Sequence, residues 1–133
     1  MQALDHVSIT VRDLARALPF YDAIFAVIFL QKIYEKDGAV GYGTRNRSGD
    51  DGHSYLSIYQ SAAAAPDRRR HWCFRAASAA QVRAFHAAGL AAGGRDAGAP
   101  GLRSHYHPSY YAAFLEDPEG NRIEAVTHDG DDT

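Results

Sequence analysis

The chain has 133 residues, of which 46% are hydrophobic and 23% charged, and its formal net charge is −2. These values predict one ordinary soluble domain and do not favour a nucleic-acid or anionic-membrane partner. No apolar run is long enough to cross a membrane, the first residues lack a signal-peptide layout, and Cys73 has no second cysteine to pair with. We therefore expect a cytoplasmic protein without an internal disulfide.

The first half of the sequence predicts a strand, a helix and three further strands. Apolar and polar residues alternate over residues 4–11, with His6 on the polar side. Asp13 is a suitable N-cap for the helix that follows, and Pro19 should kink this helix or delay its regular part. The three later strands are predicted over residues 29–36, 39–45 and 54–59, between glycine- and aspartate-rich turns.

The second half repeats this order after a linker at residues 61–70. His71 opens an alternating strand, Ser78 and Gln81 form a capping-box pattern, and Gly93 and Gly94 should end the helix. Beyond the helix we expect a short irregular strand at 95–97, a long loop at 98–108, strands at 110–116 and 122–128, and a frayed acidic tail at 129–133. The prediction is thus one domain over residues 1–133, with module one at about 3–60 and module two at about 71–128.

The two halves place a histidine at the same position. His6 lies seven residues before the predicted cap Asp13, and His71 lies seven residues before the predicted cap Ser78. Each histidine therefore opens its module on the polar side of the first strand. A pseudo-two-fold arrangement of the modules would bring these two positions toward each other.

A carboxylate completes a candidate metal site. Glu124 lies in the closing strand of module two, and its counterpart in module one falls near Leu56 or Ser57. Two imidazoles and one carboxylate suit a divalent transition metal and leave coordination positions open for chemistry. The predicted metal ligands are therefore His6, His71 and Glu124.

Three motifs resemble the vicinal oxygen chelate superfamily, which includes glyoxalase I, extradiol dioxygenases, fosfomycin-resistance enzymes and bleomycin-resistance proteins. The resemblance rests on DHVSITVRDL with ARALPFYDAIF, on HWCFRA before a helix, and on FLEDPEGNRIEAV, where D-P-x-G-x-x-I-E is the most specific. It implies an α+β fold of two βαβββ modules whose curved sheets form a U-shaped cleft around a metal. By position it also implies His6, His71 and Glu124 as ligands.

The chain departs from individual members of that superfamily. Glyoxalase I uses a second glutamate, in the closing strand of module one, as ligand and proton-transfer base, whereas SYLSIYQ offers no carboxylate there. Extradiol dioxygenases share the two-histidine, one-glutamate set and add a tyrosine where this chain has Phe114. They also add an upstream histidine, for which His105 or His107 could stand.

We expect a metal-dependent enzyme that acts on a small oxygen-chelating substrate by Lewis-acid catalysis, with Fe, Mn, Zn or Ni as the cofactor. The segment at residues 103–111, rich in histidine and tyrosine, is interpreted as a substrate-facing loop or as an aromatic-anchored structural loop. The predicted catalytic residues are His105, His107 and Tyr111, and the predicted substrate contacts are Ser57, Tyr59, Arg103 and Tyr110.

The alternative is a metal-free protein that sequesters a drug or metabolite. Its cleft would be lined by Tyr42, Tyr55, Trp72 and Tyr111. In either case we expect a homodimer, because short sheets have edges to protect and two-fold dimers are common.

Several other side chains are expected to have structural roles. His53 and His86 are expected at the surface or in turns. Cys73 is expected to be a small core or cleft residue rather than a nucleophile, because nothing in the sequence lowers its pKa.

Overall fold

The computed structural model describes residues 3–44, 48–49, 54–67 and 69–131 and contains two modules of identical element order. Module one consists of β1 (His6–Val11), α1 (Leu14–Val27), β2 (Lys32–Lys36), β3 (Ala39–Thr44) and β4 (Ser54–Gln60). Module two consists of β5 (His71–Arg75), α2 (Ala79–Ala91), β6 (Arg95–Leu102), β7 (Tyr111–Glu116) and β8 (Arg122–Thr127).

Each module forms a four-stranded mixed sheet. The strand orders are β1-β4-β3-β2 and β5-β8-β7-β6, so the opening strand of each module is an edge strand that pairs with the closing strand. That pairing is parallel in both modules, and the other pairings are antiparallel. The predicted α+β fold of two βαβββ modules is confirmed.

Local signals fix the start of both helices and the end of α2. The Asp13 side chain accepts a hydrogen bond from the Arg16 backbone N–H at 3.1 Å and begins α1, which then runs through Pro19 without interruption. In α2 the Ser78 hydroxyl accepts from the backbone N–H of Gln81 at 3.2 Å. The helix ends where Gly93 adopts a φ of 98°, a conformation that glycine adopts without strain.

One hydrophobic core joins the two modules. The helices pack against each other, and α2 also covers β6, β7 and β8. The ring of Phe25 on α1 meets the ring of Phe74 on β5 edge-on, with centroids 4.9 Å apart. Large side chains that are completely or almost completely buried include Phe20, Tyr21, Phe25, Tyr42, Phe85, Leu115 and Ile123. Burying each such side chain contributes roughly 1.5–3 kcal/mol, so the modules are stabilised as one unit.

The turn between β7 and β8 also ties the modules together. Asp117 is completely buried, and its Oδ2 accepts a hydrogen bond of 2.5 Å from the Tyr21 hydroxyl of α1. Two residues later, the Glu119 carboxylate accepts from the backbone N–H groups of Arg12 and Asp13 at 2.6 and 2.8 Å. The D-P-E-G segment of module two therefore holds the start of the module-one helix.

The predicted strand at 95–97 and loop at 98–108 are wrong in their shared boundary. Strand β6 continues to Leu102 and pairs with β7, with register shifts on both sides of Gly98. Pro100 is compatible with this pairing because β6 is an edge strand and its register is irregular there. Only the shorter segment between β6 and β7 is a loop.

Two smaller expectations are also wrong. The second strand begins at Lys32 rather than at residue 29, because Phe29 adopts a φ of 61° that no strand contains. His86 is not a surface or turn residue; it is buried in α2, with Nε2 2.9 Å from Asp96 Oδ1. His53 and Arg45, the predicted end of the third strand, lie outside the described residues.

Candidate functional site

Each sheet has one face against the core and one face that carries polar side chains. On β1 the outward residues include His6 and Ser8, and on β5 they include His71 and Cys73. The alternation predicted from the sequence therefore places both histidines on the polar faces. These two faces are where a ligand could meet several polar groups at once.

Strand register identifies the module-one counterpart of Glu124. Ser8 pairs with Ser57 in module one, and Cys73 pairs with Glu124 in module two. Because Ser8 and Cys73 each lie two residues after the opening histidine, Ser57 is the counterpart of Glu124. The sequence offers Leu56 and Ser57 as alternatives, and Leu56 lies in the hydrophobic core.

Glu124 and His71 form the centre of the polar face of module two. The Glu124 residue is only 2% exposed, and its Oε1 lies 3.0 Å from His71 Nε2. The Tyr110 hydroxyl donates a hydrogen bond of 2.6 Å to Glu124 Oε2. Burial and the Glu124 carboxylate both raise the pKa of Tyr110, so its hydroxyl stays protonated and remains a donor.

The charged partners of the Glu124 carboxylate are the next question. Among the residues that the structure describes, no lysine or arginine forms a salt bridge with Glu124. A buried carboxylate is costly without a positive partner, so a cation held by Glu124 and His71 would be stabilised at this position. An imidazole nitrogen and a carboxylate oxygen are also donors that suit a divalent transition metal.

His6 lies apart from this pair. Its Nδ1 is 2.6 Å from Asp5 Oδ1, and its ring stacks on Tyr55 with centroids 4.8 Å apart. Within the described ranges, no three histidine, cysteine, aspartate or glutamate side chains form a group that could hold a metal ion. One chain thus brings together two of the three predicted ligands, His71 and Glu124.

A cavity of about 590 Å³ separates His6 from the second module. Its walls include Tyr55 from β4 and Trp72 from β5, and His6 itself. Tyr42 and Tyr111, the other two aromatic residues expected in a cleft, are instead buried in the hydrophobic core. The aromatic lining predicted for a sequestering protein is therefore only half present.

The side chains of Tyr111 and Arg103 make contacts that stabilise the fold. Tyr111 is 6% exposed, and its hydroxyl accepts a hydrogen bond of 3.4 Å from Arg83 on α2. The Arg103 guanidinium donates to the backbone carbonyls of Ala99 and Gly101 at 2.8 and 2.9 Å, which holds the irregular end of β6. These positions do not favour the catalytic and substrate-binding roles expected from the sequence.

The two candidate catalytic histidines lie on the loop that carries Tyr110. His107 Nε2 is 2.8 Å from His128 Nδ1, and the His107 ring meets the Tyr110 ring edge-on at 5.5 Å. His105 packs on Tyr106, with ring centroids 4.2 Å apart. Both histidines therefore belong to an aromatic cluster beside Tyr110, whose hydroxyl reaches Glu124.

Tyr34 is a residue of the polar face of module one that is absent from the residues predicted for the site. Its hydroxyl lies 2.6 Å from Ser57 Oγ, as the Tyr110 hydroxyl lies 2.6 Å from the Glu124 carboxylate. The signal that could have indicated it is Gly41, the residue directly opposite Ser57 in the sheet. A glycine in the middle of a strand often marks a place where another group approaches closely.

Cys73 lies beside Glu124 and Tyr110 and is expected to react slowly. Burial around its sulfur and the negative charge of Glu124 raise the pKa of the thiol to about 12, although part of the residue is exposed. Thiolate, not thiol, is the nucleophile, so alkylation by iodoacetamide at pH 8 should be roughly a thousandfold slower than for an ordinary cysteine. Alkylation followed by mass spectrometry measures this rate. The variant Glu124→Gln should react faster, and a wild-type rate equal to that of free cysteine would contradict the expectation.

The family match and a similar solved structure name the same superfamily. The chain matches the Glyoxalase/Bleomycin resistance protein/Dioxygenase superfamily over residues 3–125. A glyoxalase/bleomycin resistance protein from Albidiferax ferrireducens T118 is similar in structure, with a TM-score of 0.77 and 28% identity over 94% of this chain and 98% of that chain. No curated protein matched the sequence.

Two more distant structures share the fold. A glyoxalase/bleomycin resistance protein/dioxygenase family enzyme from Burkholderia phytofirmans PsJN has a TM-score of 0.66 and 22% identity over 94% of this chain and 98% of that chain. A glyoxalase-related enzyme from Fulvimarina pelagi has a TM-score of 0.67 and 15% identity over 98% and 96%. None of the helices among the described residues combines the length and apolar character needed to span a membrane.

On the family match and the similar structures, the chain belongs to the glyoxalase/bleomycin resistance protein/dioxygenase superfamily, as its paired modules and closing-strand motif indicate.

Proposed function

We propose that the protein is a metal-dependent enzyme that acts on a small oxygen-chelating substrate. The observation that carries this proposal is the buried Glu124 carboxylate, which contacts His71 and has no lysine or arginine salt-bridged to it in the described part of the chain. A divalent cation bound there would supply Lewis-acid chemistry to the substrate oxygens.

Two residues of one chain fit the metal, and we assign the third ligand to a second protomer. His71 and Glu124 present an imidazole nitrogen and a carboxylate oxygen 3.0 Å apart. His6 is on the polar face of the other module and is half-exposed. In a two-fold homodimer, the first module of one protomer can face the second module of its partner. His6 of a second protomer would then complete the set of two histidines and one glutamate.

The surrounding residues have distinct roles in this proposal. Tyr110 orients Glu124 by donating to Oε2, which leaves Oε1 on the side of His71. Because such outer hydrogen bonds hold a ligand in its binding orientation, Tyr110 is a positioning residue. His105 and His107, on the same loop as Tyr110, are our candidates for general acid or base.

Removing any of the three ligands should sharply reduce metal affinity. We expect metal-free protein to bind about one Fe(II), Mn(II), Zn(II) or Ni(II) per chain in calorimetric titration. His6→Ala, His71→Ala and Glu124→Ala should each lose more than the roughly 10–100-fold typical of changes to outer partners, and Tyr110→Phe should fall in that range. His86→Gln is the matched control because the His86 imidazole contacts Asp96 instead. If all three ligand variants bind metal like the wild type, the site is wrong.

Mixing two variants that each lack one metal ligand tests whether the metal site is shared between protomers. Heterodimers of His6→Ala and Glu124→Ala contain one site with all three wild-type ligands if His6 comes from the partner. They contain none if all ligands come from one chain. We therefore expect mixing to restore tight metal binding to about one site per heterodimer. Unrestored binding, in heterodimers verified by native mass spectrometry, would contradict the shared site.

A second candidate function, metal-free sequestration of a small molecule, is favoured by the cavity of about 590 Å³. Tyr55, Trp72 and the imidazole of His6 are among the residues that line it. Its volume is in the range of ordinary ligand sites. The sequence contains one tryptophan, so quenching of Trp72 fluorescence reports binding there directly. Tight binding to metal-free protein, together with silence in enzyme assays, would favour this second function.

A further inference from the structure

The polar face of module two carries an arginine, Arg122, whose charge is not used within the fold. Arg122 lies on β8, two residues before Glu124, and pairs with His71 on β5. Its Nε atom is buried without a hydrogen-bond partner, and no carboxylate of the described residues forms a salt bridge with its guanidinium. Because buried polar groups nearly always have a partner, this guanidinium indicates an acceptor from outside the described chain.

The two carboxylates that share this part of the sheet are bound to other groups. Glu116 lies directly opposite Arg122, but its Oε2 accepts a hydrogen bond of 3.0 Å from Arg95. Glu124 Oε1 lies 3.0 Å from His71 Nε2. Arg122 is therefore placed between two carboxylates and pairs with neither. Its positive charge is left for another anion, since a guanidinium stays protonated at every physiological pH.

The ring of Phe114 places this guanidinium beside the His71–Glu124 pair. Phe114 lies directly opposite Glu124 in the sheet. Its ring centroid is 5.1 Å from Arg122 Cζ and 6.0 Å from the centroid of the His71 ring. A guanidinium over an aromatic face keeps its planar edge available for two parallel hydrogen bonds to a carboxylate. Residues two apart on a strand are separated by roughly 6.5–7 Å, so one small molecule can reach Arg122 and a cation at Glu124 together.

We propose that Arg122 is a specificity-determining residue that binds a carboxylate of the substrate. The substrate class is then a small organic acid that carries two chelating oxygens at one end and a carboxylate at the other. This inference rests on the proposed metal-dependent function and deepens it by giving the substrate a charge. A carboxylate suits the site because its two oxygens match the fork of N–H donors on a planar guanidinium.

Two hydroxamates test the proposal on protein loaded with Zn(II). Butyrohydroxamate and the monohydroxamate of succinic acid have the same chain and chelating oxygens, and the second ends in a carboxylate instead of a methyl group. In calorimetry we expect the succinic compound to bind about tenfold more tightly or better, and we expect Arg122→Met to abolish this preference. Arg122→Lys should keep part of it, because the charge remains while the fork is lost. Arg16→Met, which changes an exposed arginine of α1, is the control and should keep the full preference.

The proposal is overturned if the wild type shows no preference for the carboxylate compound, if Arg122→Met retains the preference, or if Arg16→Met loses it equally. A protein that binds no metal is tested with succinate alone, followed by NMR of the Arg122 Nε–H. A saturable shift with succinate and none with neutral succinamide would support the anion site while the metal-dependent function fails. No shift with succinate would overturn the site. Inorganic phosphate acting at lower concentration than succinate would overturn the assignment to a carboxylate.

Discussion

Replacing Asp117 by alanine is expected to lower the free energy of unfolding by about 3–5 kcal/mol. The Asp117 carboxylate is completely buried and accepts four hydrogen bonds. The donors are the Tyr21 hydroxyl, the backbone N–H groups of Glu119 and Asn121, and the Asn121 side-chain amide. Alanine leaves these donors without an acceptor in a place that water reaches poorly, so several buried groups lose their partner at once.

Urea denaturation followed by circular dichroism measures this effect. Tyr21→Phe, which removes one hydroxyl and keeps the ring, is the matched control and should cost only about 1–2 kcal/mol. A loss below about 1 kcal/mol for Asp117→Ala would show that the turn is held by its backbone alone. Equal losses in the two variants would show that the contact with α1 carries the whole effect.

The same turn explains why D-P-x-G-x-x-I-E is the most specific motif of the chain. Asp117 shapes the turn and reaches Tyr21, and Glu119 accepts from the backbone at the start of α1. The strand that leaves this turn carries Glu124 to the polar face. One short segment therefore sets both the contact between the modules and the position of the candidate ligand.

Features encoded within a few residues could be predicted from the sequence. Asp13 and Ser78 begin their helices because a side-chain oxygen three residues away satisfies a free backbone N–H. His6 and His71 are on polar faces because strand side chains alternate with a period of two. The repeated element order predicts two modules, and the resemblance to a family implies the fold that they form together.

Features that depend on contacts between distant segments could not be predicted. Strand β6 extends past residue 97 because β7 offers it a pairing edge, and its Gly- and Pro-rich sequence gives no local sign of this. The separation of His6 from Glu124 depends on how the two modules pack, not on either strand. The role of Tyr34 depends on the space that Gly41 leaves on a neighbouring strand.

The second large expected effect concerns the reaction and depends on Ser57. We expect negligible isomerisation of the methylglyoxal–glutathione hemithioacetal, even after incubation with Ni(II) or Zn(II). The glutamate that glyoxalase I uses as its base is replaced by Ser57, whose hydroxyl contacts the Tyr34 hydroxyl. Neither hydroxyl changes protonation near neutral pH, and burial raises the pKa of Tyr34 further, so neither can exchange a proton as a glutamate does.

Cleavage of a catechol with O₂ is the reaction that the remaining residues leave open. Phe114 lies directly opposite Glu124 in the sheet and cannot donate the hydrogen bond that a tyrosine would. His105 is our candidate for that donor, so His105→Ala should abolish any turnover while metal affinity is retained. The decisive experiment measures O₂ uptake with Fe(II) and a panel of catechols beside the hemithioacetal assay with Ni(II). Robust hemithioacetal turnover would contradict the assignment of Ser57, because it would require a base that the polar face of module one does not provide at that position.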